Sequence, residues 1–174
     1  MKTEYKTLIL YLFTTIMTVH TAIVMAQAPE IDWAQAYGGS ENDYCFNIKH
    51  TSDGGYILVG GSNSNDFDVS GNYGNLDAWV VKINASGTIE WEQNYGGSDA
   101  DLILDAVVLD NNEGYVFLAQ TNSNDGDLEP ATHNNVKAWL FQTDLSGTIV
   151  NDIVIGTVVG DNIPTSLLQN ADGD

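Results

Sequence analysis

Trp33-Ala34-Gln35-Ala36-Tyr37-Gly38-Gly39-Ser40-Glu41-Asn42-Asp43 returns 58 residues later as Trp91-Glu92-Gln93-Asn94-Tyr95-Gly96-Gly97-Ser98-Asp99-Ala100-Asp101. Four more blocks repeat in the same order. Gly55-Tyr56-Ile57-Leu58-Val59 matches Gly114-Tyr115-Val116-Phe117-Leu118, and Ser62-Asn63-Ser64-Asn65-Asp66-Phe67-Asp68 matches Thr121-Asn122-Ser123-Asn124-Asp125-Gly126-Asp127. Asp77-Ala78-Trp79 is answered by Lys137-Ala138-Trp139, and Ser86-Gly87-Thr88-Ile89 by Ser146-Gly147-Thr148-Ile149. The offset grows from 58 to 60 across the unit, as single insertions in loops would make it. A fixed period of this length marks a repeat architecture in which each copy buries its apolar surface against the next.

Each copy holds four strand-length segments. In the first they are Tyr44–Thr51, Tyr56–Gly61, Ala78–Asn84 and Thr88–Tyr95; in the second, Leu102–Leu109, Tyr115–Gln120, Ala138–Thr143 and Thr148–Ile155. β-Branched and aromatic residues crowd these segments, and no stripe of helical period appears. Ser52-Asp53-Gly54-Gly55 and Asn84-Ala85-Ser86-Gly87 are short enough for tight hairpin turns, where Gly accepts a positive φ. Only the loop Ser62–Asp77 is long. Trp79, Val81 and Ile83 alternate with Ala78 and Val80, so both faces of that strand are apolar. A strand of a free sandwich sheet would keep one face polar. The expectation is an all-β fold of β-propeller-type repeats, each a blade of four antiparallel strands, with a β-solenoid as the alternative.

The repeats are expected over residues 31–90 and 91–150, with a partial copy over 151–174. In that third copy Asn151 stands for Trp91, Gly156 for Gly96 and Asp161 for Asp101, and Asp172-Gly173-Asp174 resembles the turn before Tyr56. About two and a third copies fall short of a closed ring. An open arc is therefore predicted, from an N-terminal fragment of a longer repeat protein.

The N-terminus reads differently. Lys2 and Lys6 precede the apolar run Thr7–Met25, and Ala26-Gln27-Ala28 offers the small residues of a cleavage site. Residues 1–28 are thus predicted to be a secretory signal peptide, cut after Ala26 or Ala28. An uncleaved membrane anchor is the competing reading, which Thr14, Thr15, Thr18, Thr21 and His20 weaken by diluting the run. Removal leaves 23 acidic residues against Lys49, Lys82 and Lys137, a formal charge near −20. Such a charge argues against nucleic acid and anionic membrane surfaces as partners. The single Cys45 excludes an internal disulfide, so burial, stacking or bound ions must supply stability.

The signature Trp-x-x-x-Tyr-Gly-Gly-Ser-x-x-Asp, with Asp-Gly-Gly-Tyr-Ile-Leu-Val-Gly and Asp-Ala-Trp-Val-Val-Lys-Ile-Asn, resembles the propeller repeats of large secreted bacterial proteins. Many of those carry a type IX secretion sorting domain. The resemblance implies a secreted protein, extracellular or on the outer surface of a bacterial cell, and covers the chain from Ile31 onward. The stretch Ile83–Trp91 is also similar to the tryptophan-docking motif of quinoprotein propellers. There Asn84 would bond the turn backbone, Gly87 would take the unusual conformation, and Trp91 would pack across a blade junction. In the second copy Asp144 and Gly147 keep the turn, while Asn151 loses the Trp.

Few residues invite chemistry. Asp66, Asp68, Ser70 and Gly71 fall at positions 1, 3, 5 and 6 of a calcium-loop pattern, and Asp77 at position 12. Asp66, Asp68, Ser70 and Asp77 are therefore the candidate calcium ligands, calcium being the one cofactor the sequence suggests. A solvated, metal-free Asx-rich turn is the alternative, favoured by Asp at position 12 and by strands on either side. In the second copy Glu129-Pro130 and Val136 break the pattern. His50 and His133 occupy unlike positions of the repeat and have no spacing that makes them transition-metal ligands. No Gly-x-Ser-x-Gly elbow occurs, and Cys45, in the first strand, is expected to be buried and inert. Asp43 and Asp101 recur at one repeat position, which points to turn capping in every blade rather than catalysis. No catalytic residue is assigned and the chain is read as non-enzymatic. The expected function is a secreted or cell-surface scaffold or binding module whose ligand is a protein or glycan. The alternative is part of a propeller enzyme, a quinoprotein-like dehydrogenase or a hydrolase, with its active residues in other blades; a truncated chain with no activity of its own is a third reading.

Overall fold

The computed structural model of the chain describes residues 30–110, 113–128, 135–156 and 160–170. The predicted signal peptide, His133, Glu129-Pro130 and the closing Asp172-Gly173-Asp174 lie outside the described residues. Among those described, no helix is long and apolar enough to cross a membrane.

The fold is all-β. Eight strands run as β1 (Asp43–His50), β2 (Tyr56–Ser62), β3 (Asp77–Ile83), β4 (Ile89–Tyr95), β5 (Asp101–Val108), β6 (Tyr115–Thr121), β7 (Lys137–Thr143) and β8 (Ile149–Ile155). They form two four-stranded antiparallel sheets, ordered β1-β2-β3-β4 and β5-β6-β7-β8. Within each sheet every strand pairs with its neighbour in sequence, through tight turns except across the long loops before β3 and β7, as consecutive strands commonly do. The sheets are copies down to their irregularities. Register shifts between Cys45 and Asn47 in the first sheet and between Ile103 and Asp105 in the second, at the same place in the repeat. Both β3–β4 and β7–β8 slip once more at their turn ends.

Asn84 and Asp144 explain why those turns form. The Asn84 Oδ1 accepts hydrogen bonds from the backbone N–H of Ser86 (2.9 Å) and Thr88 (3.0 Å), and Asp144 Oδ1 does the same for Ser146 (2.8 Å) and Thr148 (3.0 Å). A short acceptor side chain thus replaces the turn's missing backbone partners.

The two-faced character predicted for β3 is observed. Ala78 and Val80 join Ile57 and Val59 in a core shared with Ile103, Ala106, Tyr115, Phe117, Trp139 and Phe141 of the second sheet. Trp79, Val81 and Ile83 instead form a second cluster with Val69, flanked by Tyr37, Tyr56 and Leu58. All seven residues of β3 are buried. In β7 only alternate residues, Lys137, Trp139, Phe141 and Thr143, are buried, while Ala138, Leu140 and Gln142 are partly open on the other face. Aromatic packing dominates the shared core. Trp139 stacks on Phe141 with centroids 4.2 Å apart, and Tyr95 of β4 reaches Phe141 at 5.0 Å.

The third copy is offset by one more residue than its sequence match suggests. The bond from Asp101 N–H to the Leu76 carbonyl (2.6 Å) is repeated by Asn162 N–H to the Val136 carbonyl (2.9 Å), so Asn162 rather than Asp161 holds the Asp101 place.

Candidate functional site: the repeat junction

The recurring Tyr-Gly-Gly-Ser segment crosses from one repeat to the next. There its backbone amides are uncovered by any ladder, and side-chain oxygens of the long loop and of the first residue of the next strand meet them. Gly39 N–H donates to Asp43 Oδ2 (2.7 Å), Ser40 N–H to Asp66 Oδ1 (2.8 Å), Glu41 N–H to Ser64 Oγ (2.9 Å) and Gly38 N–H to Asp68 Oδ2 (3.3 Å). The second junction repeats all four. Gly97 N–H donates to Asp101 Oδ2 (2.8 Å), Ser98 N–H to Asp125 Oδ1 (2.7 Å), Asp99 N–H to Ser123 Oγ (3.0 Å) and Gly96 N–H to Asp127 Oδ2 (3.1 Å). Charged acceptors on backbone amides are among the stronger hydrogen bonds of a protein. They give both Asp residues of the Asn-Asp-x-Asp motif a backbone partner in each copy.

The aromatic half of the motif docks on the turn of the following sheet. Tyr37 donates its hydroxyl to the Gly87 carbonyl (2.6 Å), and Tyr95 its own to the Gly147 carbonyl (2.6 Å). Trp33 Nε1–H donates to the Ala85 carbonyl (3.1 Å) while its ring lies over Gly87. Trp91 lies over Gly147 in the same way. Both glycines have φ near +80° (82° and 85°), and a Cβ on either would press into the indole. Positive φ and close approach together require Gly at this turn.

The four candidate calcium ligands are not brought together. Asp66 and Asp68 serve the amides just named. Ser70 hydrogen-bonds Glu92, Oγ to Oε1 at 2.5 Å, and Asp77 accepts the Tyr73 N–H. Among the described residues no group of three or more His, Cys, Asp or Glu is placed to hold a metal ion. Asp77 is wholly buried, with one carboxylate oxygen lacking a hydrogen-bond partner among the described residues. Burial, and then the charges of Asp101 and Asp127, push its pKa up to about 6. Burial likewise raises Asp101 and Asp127. Three carboxyls beside the second junction thus bind their protons more tightly than free carboxyls do.

Cys45 departs from expectation: it is exposed. β1 is an edge strand, and among the described residues its Cys45 side is left open, so membership of a strand did not bury it. Partial desolvation holds its thiol above the ordinary value, the opposite of an activated nucleophile. His50 is exposed on β1 and meets the Tyr56 ring edge-on at 5.3 Å.

The charged groups that differ between repeats tie strands together. Lys82, nearly buried, pairs with Asp53 (2.9 Å) and Glu90 (2.5 Å), and the Lys82 bond draws the Asp53 carboxyl well below its ordinary range. Lys49 of β1 reaches Asp105 of β5 at 2.8 Å, joining the sheets. Sequence reading missed Ser64 and Ser123 as junction residues. Their fixed spacing from Asp66 and Asp125 was the available signal. Compared with known protein families and with curated proteins, the chain gives no significant match.

Proposed function

We propose that this chain is an exported, non-enzymatic scaffold or binding module of β-propeller type, presented outside a bacterial cell, with the two sheets as successive blades. The observation that carries this reading is the duplicated junction. The acidic side chains that cap the Tyr-Gly-Gly-Ser crossing, Asp43, Asp66 and Asp68, have counterparts in Asp101, Asp125 and Asp127 with the same class of backbone partner. Groups that recur in each repeat build the stack, whereas a catalytic centre needs a constellation peculiar to one place. The unshared ion pairs, Lys82 with Asp53 and Glu90 and Lys49 with Asp105, cross-link strands. A protein or glycan ligand would meet the loop tips, which repeat proteins vary without disturbing the stack.

Export is the testable premise. Expressed with its native N-terminus in a Gram-negative host, the chain should leave the cytoplasm and yield a mature protein beginning at Gln27 or Pro29 by mass spectrometry. A full-length chain retained in the cytoplasm would overturn the reading.

A further inference from the structure

Phe67 sits on the long loop with 84% of its surface exposed and its backbone in the left-handed region, φ 54°. Both are unfavourable for a bulky apolar residue, whose Cβ crowds its own backbone and whose ring gains nothing from burial. The bend itself asks for no ring, because Gly126 takes the same place in the second copy with φ 71°. The second copy also shows that stacking leaves this place open. The exposed apolar residues of β1, Tyr44, Phe46 and Ile48, have counterparts Leu102, Leu104 and Ala106 that are half-buried or buried where a preceding sheet is present. Gly126 and its neighbour Asp125 stay exposed with that sheet in place. Phe67 is therefore open for a reason that a further repeat would not remove.

The ring is also firmly presented. On either side of it, Asp66 and Asp68 accept the junction amides of Ser40 (2.8 Å) and Gly38 (3.3 Å). Val69 N–H returns to the Asp66 carbonyl (3.0 Å), and the Val69 side chain is buried. A segment already held this way loses little freedom on binding. Its setting is acidic, since the flanking residues are carboxylates and the lysines of the described residues are engaged elsewhere. Lys49 pairs with Asp105, Lys82 with Asp53 and Glu90, and Lys137 bonds the Ser123 carbonyl.

We propose that Phe67 is a recognition anchor: its ring enters an apolar pocket of a partner protein, and Lys or Arg side chains on the rim of that pocket meet Asp66 and Asp68. An aromatic group at the centre with charges around it is the usual division of a protein interface, and opposite charge speeds encounter. The same carboxylates repel an anionic lipid surface. The proposal rests on the reading of the loop tips as the ligand-facing surface, and adds which residue engages and what chemistry it meets.

The probe is β-cyclodextrin aminated on its narrow rim, an apolar bore ringed by ammonium groups that takes a phenyl ring. Unmodified β-cyclodextrin, a bore without charge, and spermine, charge without a bore, are its controls. At low salt the aminated host should shift the Phe67 ring resonances and bind about tenfold tighter than either control. Phe67→Gly should lose about that factor while its urea midpoint holds or rises. Phe67→Asn, which also accepts a left-handed backbone, should behave alike. Equal binding by the parent and both variants overturns the proposal, as do ring resonances that spermine shifts as far as the aminated host does. A lowered urea midpoint in both variants also overturns it, since the ring would then serve the fold. Ring-dependent binding to phosphatidylcholine vesicles, with none to the aminated host, would replace the protein partner by a lipid surface. Failure of the scaffold reading is separately visible as retention of the full-length chain in the cytoplasm, which leaves the host titration of purified chain unaffected.

Discussion

The two faces of the first sheet can be compared residue by residue. One face meets the second sheet, and among the described residues the other meets Val69 of the long loop and Tyr37 of the Trp33–Tyr37 segment. On the shared side, β5 sits against β1, β2 and β3, and its Ile103 and Ala106 are fully buried. Their counterparts on β1 are Cys45 and Ile48, exposed, and β1 also leaves Tyr44 and Phe46 open. The docking hydrogen bonds are the same on both sides, 2.6 Å from Tyr hydroxyl to Gly carbonyl. The polar anchoring of a repeat therefore forms without a neighbouring sheet, while apolar burial does not. In a stacked repeat the first is local to the crossing segment and the second belongs to the interface.

The strongest way to break this comparison is to truncate equivalent residues. Ile103→Ala should cost about 2–4 kcal/mol in chemical denaturation, because it opens a cavity in a sealed core. Cys45→Ala, at the same repeat position, should fall within about 0.5 kcal/mol of zero, as open surface positions do. Equal losses would mean that β1 is covered in solution. A subtler contrast lies at the loop bend, where the repeats exchange Phe67 for Gly126. Both have positive φ, 54° for Phe67 and 71° for Gly126. The bond that follows is longer in the first copy, 3.3 Å from Asp68 N–H to the Gly38 carbonyl against 2.9 Å from Asp127 N–H to the Gly96 carbonyl. A Cβ at Gly126 would collide with the Gly96 carbonyl. Gly126→Ala should thus cost about 1–2 kcal/mol, while Phe67→Gly should gain up to about 1 kcal/mol by relieving a left-handed bulky residue. A destabilised Phe67→Gly would show that the exposed ring contributes more than its backbone strain costs.

Much of this was legible in the sequence because the repeat is periodic in chemistry as well as in letters. Strand positions followed from β-branched and aromatic runs bounded by Gly and Asx turns, and each observed strand overlaps its predicted segment within about two residues. The two apolar faces of β3 were legible from Ala78/Val80 against Trp79/Val81/Ile83, since alternation of period two is local. Two things were not. Cys45 looked buried because strand membership is read locally, whereas its exposure depends on which neighbour is present. The backbone partners of Asp66, Asp68 and Asp77 were hidden because a carboxylate spacing that suits calcium also suits a row of amides. Only the partner segment, 26 or more residues away in sequence for Asp66 and Asp68, distinguishes them.

The smallest expected effect separates the junctions by charge. Asp77 lies beside the second junction, and the same repeat position in β7 carries Lys137, whose Nζ bonds the Ser123 carbonyl (2.8 Å) and Asn124 Oδ1 (2.7 Å). A carboxyl whose folded pKa is raised to about 6 binds its proton more tightly folded than unfolded. Its stabilising share is full below the unfolded value and is lost as pH rises through about 6. Acidification from neutrality to about pH 5 should therefore stabilise the chain by about 1 kcal/mol, and Asp101 and Asp127, raised too, act in the same direction. Asp53 and Asp105 are lowered and act oppositely, but their contribution is lost only as pH falls below the ordinary carboxylate range. The midpoint of urea unfolding should thus rise on mild acidification and fall on further acidification, and Asp77→Asn should flatten the rise. A monotonic fall from pH 7 would mean that the Asp77 pKa is not raised in the folded chain and that its second oxygen has a partner.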